Sequence, residues 1–272
     1  MKKVSVILAL VTIFFAGLAL ANTATVTSLT GNVQAQTGSE PVRTLRVGDL
    51  VRQGDTVSTG AASSAVLRFE DGQVTALTAR SRLTITAYQY NPQTQSGSIL
   101  LSLVDGGMRA ITGLIGRRSP ENVAYRAATA TIGIRGTDIT VVTSQGNVVV
   151  TVADGVISFR VGDGPPTIVV AGNAASLTQG QIRSGPAATI INALPLNLGV
   201  ALTNATSDIN QLAAAIGIAL GPAGDVPGRG TPSRVDVSTV PSGGTGGGGG
   251  GASGPTACPP GQVLNPTTGT CS

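Results

Sequence analysis

The residues in this chain that could do chemistry are carboxylates, because little else is present. There is no His anywhere, the only lysines are Lys2 and Lys3, and the only cysteines are Cys258 and Cys271. The usual bases for a Ser or Cys nucleophile are therefore missing, and metal centres built on His or Cys are excluded from the main body of the chain. What composition leaves open is a pair of acids working as in glycoside hydrolysis. Yet Asp49, Asp55, Asp71, Asp105 and Asp154 all sit in Gly-Asp or Asp-Gly pairs. Asp belongs in turns because its side chain bonds the nearby backbone. These acids read as turn formers, and the chain as a non-enzyme with no cofactor and no metal.

One further acid stands apart. Thr129–Asp138 reads Thr-Ala-Thr-Ile-Gly-Ile-Arg-Gly-Thr-Asp, a β-favouring run of Thr and Ile interrupted by Gly133 and Gly136. The glycines permit a bend or a close backbone approach. Arg135 and Asp138 lie three residues apart, near enough to clamp one turn to the next through a charge-assisted hydrogen bond. On the structural reading, Arg135, Gly136, Thr137 and Asp138 hold a corner, with Gly136 in a conformation or gap that excludes a side chain. On the functional reading they contact a ligand or partner.

The elements that must position these residues are short strands. Val26–Gln36, Val57–Ser58, Ser64–Phe69, Val74–Leu77, Leu83–Tyr88, Ser98–Leu103 and Arg109–Ile111 are β candidates, as are Val123–Arg126, Ala130–Ile134, Ile139–Thr143, Val148–Val152, Val156–Val161 and Thr167–Val170. Apolar and polar residues alternate in Ala65–Phe69 and Leu83–Ile85, the mark of a sheet with one buried face. Turn signals recur roughly every 8 to 12 residues, as in sandwiches, barrels or solenoids. The chain has no Trp and few aromatics, which suits a thin core between stacked short strands. The expected class is all-β, solenoid-like or sandwich-like.

The order of motifs carries a resemblance. Gly48-Asp49-Leu50 and Gly54–Gly60 are followed by Ala65–Gly72, then Ser81-Arg82-Leu83-Thr84-Ile85, then Arg135-Gly136-Thr137-Asp138, then Asp154-Gly155-Val156 and Ala171-Gly172. This series resembles the FecR domain, a bacterial periplasmic module, across about Thr23–Gly185. Ala127-Ala128 stands where that family usually has Thr-Pro. The resemblance implies a twisted, solenoid-like sheet and a role in contacts with proteins or envelope polymers. FecR-like domains are best known from membrane-anchored regulators that relay a receptor signal to a sigma factor through a cytoplasmic N-terminal region. Here the N-terminus reads differently, so a stand-alone domain is expected and the relay role is not carried over.

That N-terminus has the three parts of a secretory signal: Lys2 and Lys3, the apolar stretch Val4–Leu20, and the small-x-small site Ala19-Leu20-Ala21. Residues 1–21 are expected to be removed, placing the protein in the periplasm or medium with no transmembrane segment. Without Lys2 and Lys3 the seventeen basic residues fall to fifteen, all arginine, against thirteen acidic residues, a net charge of +2. So small and scattered a charge is no nucleic-acid footprint.

The β domain is expected over residues 22–185 and a helical appendage over 186–221. Ser207 reads as an N-cap for a helix carrying Ile209, Leu212, Ile216 and Leu220, with Gly221-Pro222 as its stop. Ile190, Ile191, Leu194 and Leu198 indicate a shorter helix broken or started at Pro195. These helices are expected to cap an edge of the sheet, the alternative being an amphipathic docking surface. Residues 222–256, with glycines at 246–251, read as a disordered tether. In residues 257–272, Cys258 and Cys271 bracket a turn-rich loop and most simply form one disulfide.

Two functional classes follow. The first is a non-catalytic envelope protein that binds or scaffolds an unidentified envelope protein. The second is a carbohydrate- or peptidoglycan-binding module, with Tyr88 and Tyr90 on one strand face as the sugar platform. Asp71-Gly72 joins Arg135–Asp138 as a structural motif or contact.

Overall fold

The computed structural model describes residues 23–216. The expected signal segment, the tether and the Cys258–Cys271 loop lie outside the described residues. In chain order the first strands are β1 (Ala24–Thr30), β2 (Val33–Thr37), β3 (Arg43–Thr44), β4 (Leu50–Val51), β5 (Asp55–Thr59), β6 (Ser64–Phe69), β7 (Val74–Leu77) and β8 (Arg82–Asn91). Then come β9 (Ser96–Ile111), helix α1 (Leu114–Arg118), a 3-10 turn (Pro120–Asn122), β10 (Val123–Ala127), β11 (Ala130–Ser144) and β12 (Asn147–Val161). The chain continues through β13 (Thr167–Val170), β14 (Asn173–Thr178) and β15 (Gln181–Pro186) to helices α2 (Ala187–Asn192) and α3 (Leu196–Ile216).

The fifteen strands of the described residues join one open, branched sheet, and three long strands fold it into two layers. The first half of β9 pairs with β8 and β10, and its second half with β7 and β11. β11 likewise pairs first with β10 and then with β9, running beside β12 throughout. β12 pairs first with β14 and then with β13. The first layer therefore runs β4-β1-β6-β7-β9-β11-β12-β14-β15, and the second β3-β2-β5-β8-β9-β10-β11-β12-β13. Where each long strand changes layer it carries a glycine in the left-handed region: Gly106 (φ 86°), Gly136 (φ 57°) and Gly155 (φ 82°). Sequence reading breaks each of these strands in two, because a Gly with an Asp close by looks the same whether it ends a strand or bends it.

The inner faces of both layers meet in one core. Leu67, Leu77, Met108, Val141 and Val150 of the first layer join Val57, Leu83, Leu101, Tyr125, Ile132 and Phe159 of the second. The all-β expectation holds, and the facing layers give it a sandwich-like form. The single strand expected over Val26–Gln36 is instead two, β1 and β2, separated by a turn at Gly31.

The helices also differ from expectation. α3 begins directly after Pro195, whose carbonyl accepts from Leu198 and Gly199, so Ser207 lies in mid-helix and caps nothing. Leu198, Leu202, Ala205, Ile209 and Leu212 form its buried stripe. That stripe lies on a face of the first layer rather than an edge. Leu198, Leu202 and Ala205 pack on Val142 and Val149, and Leu212 packs on Val66 and Ala76. The Asp208 carboxylate accepts from the Ala79 amide at 3.0 Å and fixes the far half of the helix. α2 packs against β14 and β15.

Candidate functional site

The Arg135–Asp138 motif occupies the bend of β11, and its four residues have separate tasks. Thr137 is buried; its amide donates to Thr112 Oγ1 at 2.9 Å, and its carbonyl accepts from the Thr112 amide and hydroxyl. Asp138 takes two bonds from the guanidinium of Arg109, at 2.7 Å from Nε and 2.5 Å from Nη2. The expected Arg135–Asp138 clamp is therefore not made. Arg109 arrives on β9, where it pairs in register with Thr140 while Ile111 lies opposite Asp138, and this partner 29 residues away outcompetes the local arginine because the strands set it diagonally across on the same face. Gly136 has open space where a side chain would project. The expected gap is absent and only the positive φ requires glycine. The crowded position is Gly155 across the bend, where a Cβ would strike the Gly136 carbonyl. Arg135 itself is exposed and in neither ion pair found among the described residues.

Asp71-Gly72 forms the turn between β6 and β7, with Asp71 buried and Gly72 exposed. The Asp71 carboxylate accepts from the Gln73 amide (3.1 Å) and the Ile115 amide (3.3 Å), tying that turn to α1. Its own amide donates to the Tyr88 hydroxyl at 3.0 Å. Tyr125 Oη donates to Gln73 Oε1 at 2.9 Å. Burial raises the Asp71 pKa despite these bonds. Tyr88 is 7% exposed and packs on Phe69 with ring centroids 5.4 Å apart. Tyr90 is partly buried against the core. Of the two rings expected to form a sugar platform, Tyr88 is thus enclosed, its hydroxyl engaged by the turn at Asp71, and Tyr90 keeps part of its surface exposed. Phe69, Tyr125 and Phe159 are buried too. Asp55, fully enclosed, is occupied by Arg43, Thr37 and the Arg52 amide. Burial alone would raise its pKa, but these bonds, with the Arg43 charge, lower it overall. Among the described residues no three His, Cys, Asp or Glu side chains converge on a point where a metal could sit.

What remains accessible is the outer face of the second layer. A cross-strand row runs Gln36, Thr56, Thr84, Ser102, Arg126, Thr131 and Arg160. The next row runs Leu100, Ala124, Gly133, Ser158 and Ile168, and beyond it Arg135 pairs with Val156 and Val156 with Val170. The small residues of the middle row floor an open groove of about 730 Å³. Pro120 and Glu121 line it at one side and Pro166 and Ile168 at the other, with Arg135 and Arg160 on its banks. Ile168 is 62% exposed and Val170 47%. Sequence reading finds Arg135 but misses Arg126 and Arg160; the alternation Thr131-x-Gly133-x-Arg135 beside Ser158-x-Arg160 is the available signal.

Among the described residues no helix is long and apolar enough to cross a membrane. No functionally curated protein is detectably similar to the chain. Two solved structures of a candidate anti-sigma factor from Parabacteroides distasonis are similar, at 15% and 16% identity with TM-scores of 0.39 and 0.38. Each match covers 48% of this chain and 59% of that one, so the likeness spans little more than half of those proteins. The FecR protein family matches residues 55–158, the stretch holding both the bend motif and the groove floor. The chain carries a FecR domain.

Proposed function

We propose that this is an exported bacterial envelope protein whose FecR domain is a non-catalytic, protein-binding module acting in periplasmic signalling or scaffolding. The observation that carries this reading is the division of labour among the charged groups. The enclosed acids Asp55, Asp71 and Asp138 are held in structural bonds, while Arg126, Arg135 and Arg160 stand exposed on one open face. The FecR domain supports a regulatory role. Export is supported by the signal-like residues 1–21.

The test is site-specific photo-crosslinking in the producing cell, with the reactive residue at Ile168, followed by cell fractionation. A protein adduct in the periplasmic or extracellular fraction, on a chain whose N-terminus is Asn22, is the expected result. A chain that keeps Met1 in the cytoplasm, or that binds a peptidoglycan and polysaccharide panel while giving no protein adduct, overturns the reading.

A further inference from the structure

We infer that the groove on the outer face of the second layer docks an extended acidic segment of the partner protein, with an apolar side chain of that segment seated beside Ile168. This rests on the protein-binding reading above and names the chemistry of the partner.

The floor comes first. Ala124, Gly133 and Ser158 stand side by side on β10, β11 and β12, so an incoming backbone can lie close to the sheet. A side chain at Gly133 would reach Ser158 Oγ within 2.6 Å and fill the channel. The banks carry the charge. Arg126 and Arg160 flank Thr131 in the row on one side, two strand spacings or about 10 Å apart. Arg135 lies in the row on the other side, four residues from Thr131 along β11, about 13 Å away. Neither ion pair among the described residues includes any of the three. Glu121 is the one acid lining the groove, so the local balance stays positive. Arg135 and Arg160 lining the groove, with Arg126 in the adjoining row, complement carboxylates spaced along an extended chain.

The far end gives the second determinant. Ile168 and Val170 project from β13, whose other edge is unpaired, and Val156 lies beside them. Apolar side chains this exposed next to a cationic trough favour a peptide over a purely anionic polymer, which offers nothing to bury there. The absence of an exposed aromatic among the described residues removes the usual stacking surface for a sugar ring.

The experiment uses the mature chain and a dye-labelled peptide of alternating Glu and Val, read by fluorescence anisotropy at low salt. Binding is expected, weakened at least about tenfold by Arg135→Glu with Arg160→Glu and a few-fold by Ile168→Ser. Glu121→Gln tightens it, and the Lys–Val peptide does not bind. Equal affinity for the parent and the double charge reversal overturns the proposal. So does displacement by polygalacturonate at matched charge with no effect of Ile168→Ser, which identifies a surface for anionic polymers. In cells, a protein adduct formed equally by the parent and the charge-reversed chain overturns the groove while leaving the protein-binding reading intact. Loss of every protein adduct from the parent removes that reading itself.

Discussion

The two outer faces of this sandwich are built from the same strands and have opposite fates. On the first layer β11 and β12 present Val142 and Val149, and β6 and β7 present Val66 and Ala76, all roofed by α3. On the second layer the same strands, β11 before its bend and β12 after its own, present Thr131, Gly133, Arg135, Ser158 and Arg160 to solvent. One strand thus supplies a hydrophobic seat in one half and a polar, cationic surface in the other. The change falls at Gly136 and Gly155, where the strands cross between layers. An outer face covered within its own chain is a matter of stability; one left bare and charged is available to something else.

The largest effect that would break this contrast is loss of the roof. Leu198→Ala is expected to cost about 3 kcal/mol, the range for a fully buried Leu, and Leu198→Asp more. Both should lower the melting temperature, and the Asp variant should bind a hydrophobic dye as Val142 and Val149 are uncovered. An unchanged melt for Leu198→Asp would mean that α3 does not hold the first layer closed.

The bends come next. Gly155→Ala combines a disallowed φ with a clash against the Gly136 carbonyl and should cost about 3 kcal/mol. Gly136→Ala meets open space and should cost only about 1 kcal/mol from strain. Equal losses in denaturant melts would contradict the geometry of this corner. Asp138→Ala, which leaves Arg109 unpaired in a mostly buried site, should resemble Gly155→Ala at about 3 kcal/mol.

Acid gives a smaller, directional effect. Asp55 has its pKa lowered from 3.8, so its contribution to stability is present above that pH and is lost as the pH falls through the folded value. Asp71 has its pKa raised, so its contribution is fullest below 3.8 and is lost as the pH rises through its folded value. Stability against pH should flatten on the acid side in Asp55→Asn. In Asp71→Asn the decline on rising from pH 3.8 should disappear. The opposite pairing of variant and limb would refute the assignment.

The smallest effect sharpens the comparison most. Arg135→Glu and Arg160→Glu should each change stability by under about 0.5 kcal/mol, because the open face carries no fold-holding contact at these positions. A larger loss in thermal melts would make that face structural after all.

How much of this was legible in the sequence differs between fold and surface. Ser64–Phe69 and Val74–Leu77 are found as read, because turn residues bound them. β14 escapes notice since Ala174, Ala175 and Ser176 have weak β preference, and their burial on both faces hides any alternation. The helix start expected at Pro195 is found, but the second start at Ser207 is not, because packing of Leu198, Leu202 and Ala205 carries one helix through a plausible local cap. At the site, Arg135 is visible as a residue near an acid, but its true neighbours depend on register. Arg109 reaches Asp138 from β9, and Arg126 and Arg160 flank Thr131 from β10 and β12. No linear spacing encodes that juxtaposition. Tyr88 and Tyr90 show the converse, since a strand-face argument cannot tell the inside of a sandwich from the outside.

The crossing of β9, β11 and β12 between layers also bears on how the chain reaches its fold. Neither layer can be completed alone, since each waits for the same three strands, and their pairings join segments far apart in the chain. Such a topology favours slow folding, in the millisecond-to-second range of non-local β proteins. α3 is the last of the described elements to be synthesised, so Val66, Ala76, Val142 and Val149 remain bare until it docks. During that interval the first layer offers an apolar face to any other nascent copy, and a chain stopped before Leu196 would keep it permanently. The helix acts, in this sense, as a built-in chaperone for the sheet beneath it.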